Sequence, residues 1–221
     1  MEPVTDRVRR LLGELTMEEK TALTGGDDTW HLPAVARLGL GRMMLSDGPS
    51  GVRGASFGSV RSLSYPCGAA VGATWDPELV ARFGIAIAEE ATAKAVHVVL
   101  GPTICIPRTP LGGRTFESFS EDPFLSAELT VAYVRATQSQ RVGCCVKHFA
   151  CNDQEHERHT IDAVVDEVTL REVHLAPFEA AVRRAGVWAV MSAYNKVNGE
   201  WCTENPDLIG AILKGEWGFD G

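Results

Sequence analysis

Two patterns alternate along the chain. Four short apolar runs, Arg42 to Leu45, Val96 to Leu100, Val142 to Val146 and Val187 to Met191, are partly β-branched and lack the apolar-polar alternation of a half-exposed strand. They are predicted to be strands buried on both faces. Between and around them lie helix signals. Thr16 with Glu19 reads as a capping box, and so does Thr169 with Glu172, ahead of an amphipathic stretch ending near Gly186. Asp76-Pro77 and Asn205-Pro206 each set a capping side chain before a proline at the first helical position. Strand, polar loop and capped helix in repetition is the rhythm of a parallel α/β sheet, in either a doubly wound or a barrel arrangement. The placement of unusual polar residues separates the two. Asp47, Lys147 with His148, and Ser192 with Tyr194 all fall just past the C-terminal end of a predicted strand, the face on which (β/α) TIM-barrel-type domains assemble their sites.

Composition narrows the class. The chain has 221 residues with 45% hydrophobic content, enough for one substantial core, and neither an internal repeat nor a low-complexity linker divides it. A formal charge of -8 without runs of like charge disfavours nucleic acid or an anionic membrane as the partner; a neutral ligand fits better. No GxGxxG follows the first strand, and Gly48-Pro-Ser-Gly51 lacks the lysine of a phosphate loop. The first residues are polar and no stretch is apolar enough for a transmembrane helix, so the expected location is cytoplasmic. Six cysteines show no CxxC pair, and Cys144 and Cys145 read as small buried hydrophobes. Gly101 to Asp122, rich in Pro, Gly and Arg, reads as a long functional loop.

Chemistry-bearing residues gather in four blocks. They are Ser46-Asp-Gly-Pro-Ser-Gly-Val-Arg53, Gly113-Arg-Thr-Phe-Glu-Ser-Phe-Ser-Glu-Asp-Pro123, Lys147-His-Phe-Ala-Cys-Asn-Asp-Gln-Glu-His-Glu-Arg158 and Met191-Ser-Ala-Tyr-Asn-Lys-Val-Asn198. Read singly, each residue has a plainer role. Asp47 before Gly-Pro suits a turn, Arg114 and Arg158 suit ion pairs with Glu117 and with Glu155 or Glu157, Tyr194 suits the core, and Met191 suits the barrel lining. Lys147 is different, because a lysine ending an apolar strand must be paired or reach a solvated pocket. The cluster Glu155-His-Glu-Arg-His159 raises metal as an alternative. His156 and His159 are three apart rather than the four of HExxH, but a barrel metallohydrolase with His148, His156 and Asp47 as ligands remains open.

Together and in this order, the four blocks resemble the β-glucosidase branch of glycoside hydrolase family 3, and the likeness runs from the Thr16 capping box to Gly221. The resemblance implies residues 1–221 as an N-terminal (β/α) barrel domain holding the first five or six βα units, incomplete at its C-terminal end. The implied activity is retaining hydrolysis of terminal β-D-glucosidic bonds, with no cofactor and no metal. A pyranose presents hydroxyls that both donate and accept, so its pocket needs a carboxylate and several cations. By resemblance Asp47 accepts from sugar hydroxyls, Arg114, Lys147, His148 and Arg158 donate to them, and Met191 and Tyr194 line the floor. Lys147-His-Phe-Ala-Cys-Asn-Asp153 separates the chain from members acting on N-acetylglucosaminides. Cys105, Ala95 and Thr115 depart from the commoner pattern, which leaves aglycone preference open. A non-catalytic sugar-binding fragment or pseudoenzyme is the competing reading.

The resemblance also implies that the attacking aspartate follows Gly221 and that the acid/base glutamate comes from a later domain, so no catalytic carboxylate is expected here. Asp220 is expected at the far end of the barrel from the pocket. The purified 221-residue chain is therefore predicted to release no nitrophenol from an aryl β-glucoside, whereas the same protein extended through the downstream gene does. Turnover by the short chain that vanished in Asp220→Asn would overturn this placement.

Overall fold

Capping sets where the helices begin. The computed structural model of the chain describes residues 4–54 and 61–221. Helices α1 (Val4–Glu14) and α2 (Met17–Gly25) open it, and the Thr16 box forms as expected: Thr16 Oγ1 accepts from Glu19 N–H at 3.2 Å, and Glu19 Oε2 accepts from Thr16 N–H at 2.9 Å. Strands β1 (His31–Leu32) and β2 (Met43–Asp47) and the short helix α3 (Gly68–Gly72) follow. In α4 (Pro77–Ala93) the Asp76 carboxylate takes the N–H groups of Glu78 and Leu79, both at 3.0 Å. After β3 (Val98–Leu100), α5 (Pro123–Ser139) is capped by Asp122. Strand β4 (Gly143–Phe149) has all seven residues buried.

One expected cap is replaced. Asp166, not Thr169, opens the next helical stretch: its carboxylate accepts from both the backbone N–H and the hydroxyl of Thr169, at 3.0 and 2.7 Å. A carboxylate three residues upstream satisfies the free N–H groups first, so Thr169 lies inside the helix and Glu172 closes no box. That stretch follows β5 (Asp162–Ala163) and comprises α6 (Glu167–Thr169), a π-helical segment Leu170–His174 and α7 (Ala176–Arg183). Strands β6 (Ala189–Ser192), β7 (Lys196–Val197) and β8 (Glu200–Trp201) precede a π-helical Pro206–Glu216, capped by Asn205 as its sequence indicated.

The class is α/β. The main sheet runs β1-β2-β3-β4-β6, parallel from β2 onward, with β1 antiparallel at one edge. It is an open barrel-type sheet among the described residues. Four βα units are present there rather than five or six, because the leading helices feed an antiparallel edge strand, while β5, β7 and β8 pair separately as a three-stranded sheet. Cis peptide bonds occur at Gly101–Pro102, Lys147–His148 and Phe149–Ala150.

The core is continuous from sheet to helices. Tyr133 of α5, fully buried, meets Phe83 and Phe119 with ring centroids 5.7 and 6.4 Å away. Helices α4 and α5 touch at Gly84, where a Cβ would sit 2.8 Å from the Tyr133 carbonyl oxygen, so only glycine allows the approach. At the end of β4, Phe149 is wedged edge-on between Phe178 and Trp217 at 5.2 and 6.0 Å. All six cysteines are free, and no helix among the described residues is long and apolar enough to cross a membrane. Phe149→Ala is expected to cost about 3–5 kcal/mol of stability through the cavity it leaves, and Asp76→Ala about 1 kcal/mol through loss of a cap. Denaturant titration of both variants checks the ranking.

Candidate functional site

The C-terminal ends of the parallel strands bring distant residues together. Asp47 is the last residue of β2, Lys147 lies near the end of β4, and Met191 pairs with Lys147 in the β4–β6 register. Lys147, whose side chain is 5% exposed, points its Nζ to Asp47 Oδ1 at 3.5 Å, across one hundred residues of sequence. Asp47 also faces Arg53 Nη1 at 3.8 Å. These three, with Gly48 to Gly51, Arg114, Phe116 and Glu117, line a cavity of about 370 Å³. It opens beside the loop Gly101 to Asp122.

Arginine 114 is held as a fork. Its Nε and Nη2 donate to the two oxygens of Glu117, both at 2.7 Å, and its Nη1 lies 3.4 Å from His148 Nε2 and 3.8 Å from Glu155. Burial alone would raise the Glu117 pKa; the hydrogen bonds and charge of Arg114, with Lys147 and Thr103 adding, hold it below the ordinary carboxylate value. His148 is buried, and desolvation, reinforced by the Arg114 and Lys147 cations, pulls its pKa down to about 3. Its imidazole is neutral, so Nε2 accepts from the guanidinium and the proton sits on Nδ1, which has no protein partner.

Arg158 forms the outer part of the cluster. Its Nη1 donates to Glu155 Oε2 at 2.6 Å, its guanidinium carbon lies 5.3 Å from the Tyr194 ring centroid, and the His159 ring lies 4.6 Å from that of Tyr194. Tyr194 is 54% exposed and so is not a core residue. Of the seven residues singled out from sequence, Asp47, Arg114 and Lys147 line the cavity, His148 abuts Arg114, Met191 neighbours Lys147 on the sheet, and Arg158 with Tyr194 joins through Glu155. The plainer ion-pair reading of the arginines holds. Arg114 pairs with Glu117 and Arg158 with Glu155; of the two arginines, Arg114 lines the cavity.

Sequence reasoning passed over Arg53 and Phe116. Both stand inside the quoted blocks, but only the tight loop that joins Arg53 N–H to the Asp47 carbonyl at 2.9 Å, and the 53% exposure of Phe116, show that they reach the cavity. Asp220 lines a separate cavity with Gly186, Val187 and Trp188, at the start of β6 and so at the opposite end of the strands. Among the described residues no three His, Cys, Asp or Glu side chains gather as metal ligands, so His148, His156 and Asp47 do not make the set that a metallohydrolase needs.

A model of the glycosyl hydrolase family 3 N-terminal domain matches residues 35–221. The chain belongs to glycoside hydrolase family 3. Thermostable β-glucosidase B of Acetivibrio thermocellus is 47% identical over 222 residues, covering 97% of this chain and 29% of that protein. A β-glucosidase of Rhizobium radiobacter is 49% identical, covering 96% of the chain and 26% of that protein. The crystal structure of β-glucosidase from Kluyveromyces marxianus in complex with glucose superposes at a TM-score of 0.95 and 44% identity, over 97% of this chain and 26% of that one. The family 3 chain thus spans between a quarter and a third of the length of these relatives.

The buried imidazole makes stability depend on pH. The unfolded His148 titrates near 6.5 and the folded one near 3, so between these values only the unfolded state takes the proton, and stability falls as pH falls through that window. Buried His174 acts in the same direction. Between pH 6.5 and 4.5 the His148 contribution to the loss is expected to be roughly 2 kcal/mol. Urea titrations of the parent and of His148→Gln measure it; equal slopes against pH would mean that His148 is not held neutral.

Proposed function

We propose that this chain is the sugar-binding part of a retaining β-glucosidase, and that residues 1–221 are the N-terminal barrel domain of a longer enzyme hydrolysing terminal β-D-glucosidic bonds. The observation that carries the reading is the convergence of Asp47, Lys147 and Arg114 on one cavity of about 370 Å³, a size suited to a single pyranose. Asp47 accepts from two sugar hydroxyls while Lys147 and Arg114 donate to others. His148 and Arg158 extend the donor set, and Met191 and Tyr194 supply apolar contact and a hydroxyl nearer the reacting carbon. Family membership supports the same assignment, as do relatives named as β-glucosidases.

Retaining hydrolysis needs one carboxylate to attack the anomeric carbon and a second, roughly 5 Å away, to protonate the leaving oxygen. In this reading neither comes from these residues. Asp47 is engaged by Lys147 and Arg53. Glu117 is locked in the Arg114 fork with a lowered pKa, the opposite of what a general acid needs. The same engagement favours a second reading, in which the chain binds sugar without chemistry. Six unpaired thiols suit a reducing compartment, in keeping with the cytoplasm.

In the complete protein, Asp47→Asn should lower kcat/KM for an aryl β-glucoside about a hundredfold, since two charge-assisted hydrogen bonds are weakened. It should also weaken competitive inhibition by glucose. Unchanged constants would remove the sugar from this cavity, and a complete protein that binds glucose but turns over no glucoside would leave the non-catalytic reading.

A further inference from the structure

Against the loop that lines the cavity, a further pair of charges is nearly buried. Glu90 in the last turn of α4 and Lys94 at its C-cap have side chains 9% and 10% exposed, and Lys94 Nζ donates to Glu90 Oε1 at 2.8 Å. Neither lies in the blocks that carry the family likeness. A buried ion pair is weak evidence of stability in itself, so its remaining bonds indicate what it is for.

Those bonds go to the loop that carries Asp47 and Arg53. Glu90 Oε2 accepts from the N–H of Val52 at 3.0 Å, and Lys94 Nζ donates to the Val52 carbonyl oxygen. Val52 is wholly buried, so both of its polar backbone groups are satisfied by these two side chains and by Ser62, whose hydroxyl donates to the same carbonyl at 2.6 Å. The pair also fixes the strap that crosses the loop: Glu90 Oε1 accepts from Leu63 N–H at 2.9 Å, and Lys94 Nζ donates to Ser62 Oγ at 2.8 Å. The strap in turn gives Tyr65 N–H to the Ser50 carbonyl oxygen at 3.0 Å. Gly51, with φ +134, leaves no room for a Cβ, which would fall 2.0 Å from the Leu63 carbonyl oxygen.

The Val52 side chain itself packs into the main apolar core, which holds the loop from within. Arg53 N–H closes it onto the Asp47 carbonyl at 2.9 Å, and Gly54 N–H reaches Ser46 Oγ at 2.8 Å, both bonds within the same segment. Nothing in those two bonds relates the loop to the rest of the barrel. The Glu90–Lys94 pair does, because α4 also carries Val80, Ile87 and Ala91 into the core. Shifting Val52 moves the residue next to Arg53 and tilts the turn that begins at Asp47.

We propose that Glu90 and Lys94 are positioning residues for the sugar site: through Val52 they hold the Asp47–Arg53 loop so that the two side chains meet the ligand hydroxyls. The inference rests on the reading of the cavity as the glucose site. It concerns residues that touch no substrate, and it makes a helix on the barrel exterior a determinant of affinity.

The test uses the complete protein and glucose as a competitive inhibitor of aryl β-glucoside hydrolysis. Glu90→Gln combined with Lys94→Met leaves no unpaired buried charge and keeps an amide oxygen for Val52, but removes the cation that fixes the Val52 carbonyl. Glu90→Asp, one methylene shorter, serves as a second variant that keeps the charge. Each is checked by thermal melt and assayed well below its midpoint. The expected result is an inhibition constant raised roughly tenfold, within the range that small misplacement of a positioning group produces. In an Asp47→Asn background the same changes should add less than about twofold, because coupled residues are not additive. Glu179→Gln, which breaks the Glu179–Arg183 pair on α7, should leave the constant alone. Full additivity with Asp47→Asn, or no effect from either variant while Asp47→Asn alone weakens glucose, would overturn the positioning role and leave the sugar site standing. No effect from Asp47→Asn would sink both.

Discussion

A lysine inside a strand whose seven residues are all buried is the constraint around which the site is built. Lys147 cannot keep its charge in an apolar interior without a partner or a path to water. Here it has both, in the Asp47 carboxylate at 3.5 Å and a polar cavity. Asp47 reaches it because β2 and β4 flank β3 in a parallel sheet, which aligns their C-terminal ends. The β-type run that buries β4 therefore also decides where a charge can emerge.

From that contact the cations and carboxylates spread outward as linked pairs. Lys147 meets Asp47, Arg114 meets Glu117 and Glu155, and Arg158 meets Glu155. Each cation is oriented before any ligand arrives, which lowers the entropic cost of fixing long side chains on binding. The neutral His148 imidazole adds hydrogen-bonding capacity without another positive charge.

Much of the fold was legible in local chemistry. The capping box at Thr16 and the aspartate or asparagine before proline at Asp76 and Asn205 all formed, since a cap depends on residues within one turn. The four strand runs were found within a few residues. Thr169 misled because a serviceable cap lay upstream at Asp166, and two local solutions competing for the same N–H groups are decided by where the helix must begin to pack. The count of βα units was also set by tertiary pairing, which sent β1 to an antiparallel edge and β5, β7 and β8 to a sheet of their own.

For the site, the sequence alone determined which residue types were available and that Asp47, Lys147 and Tyr194 stood at or near the C-terminal ends of strands, because hydrophobic period and strand polarity are encoded locally. Asp47 and Lys147 lie inside β2 and β4 rather than past them, since strand pairing runs beyond the apolar core of each run. It also determined the family, because the likeness rests on the order of four blocks rather than on any fold calculation. What only the tertiary structure decided was which partners those residues found. Arg53 and Phe116 joined the cavity, Glu155 bridged two arginines, and Glu90 with Lys94 gripped Val52 from the end of a helix 38 and 42 residues away in the chain. Pairings of that kind depend on strand order and helix packing, and burial then selects among the possible partners by making every unsatisfied charge or backbone group costly.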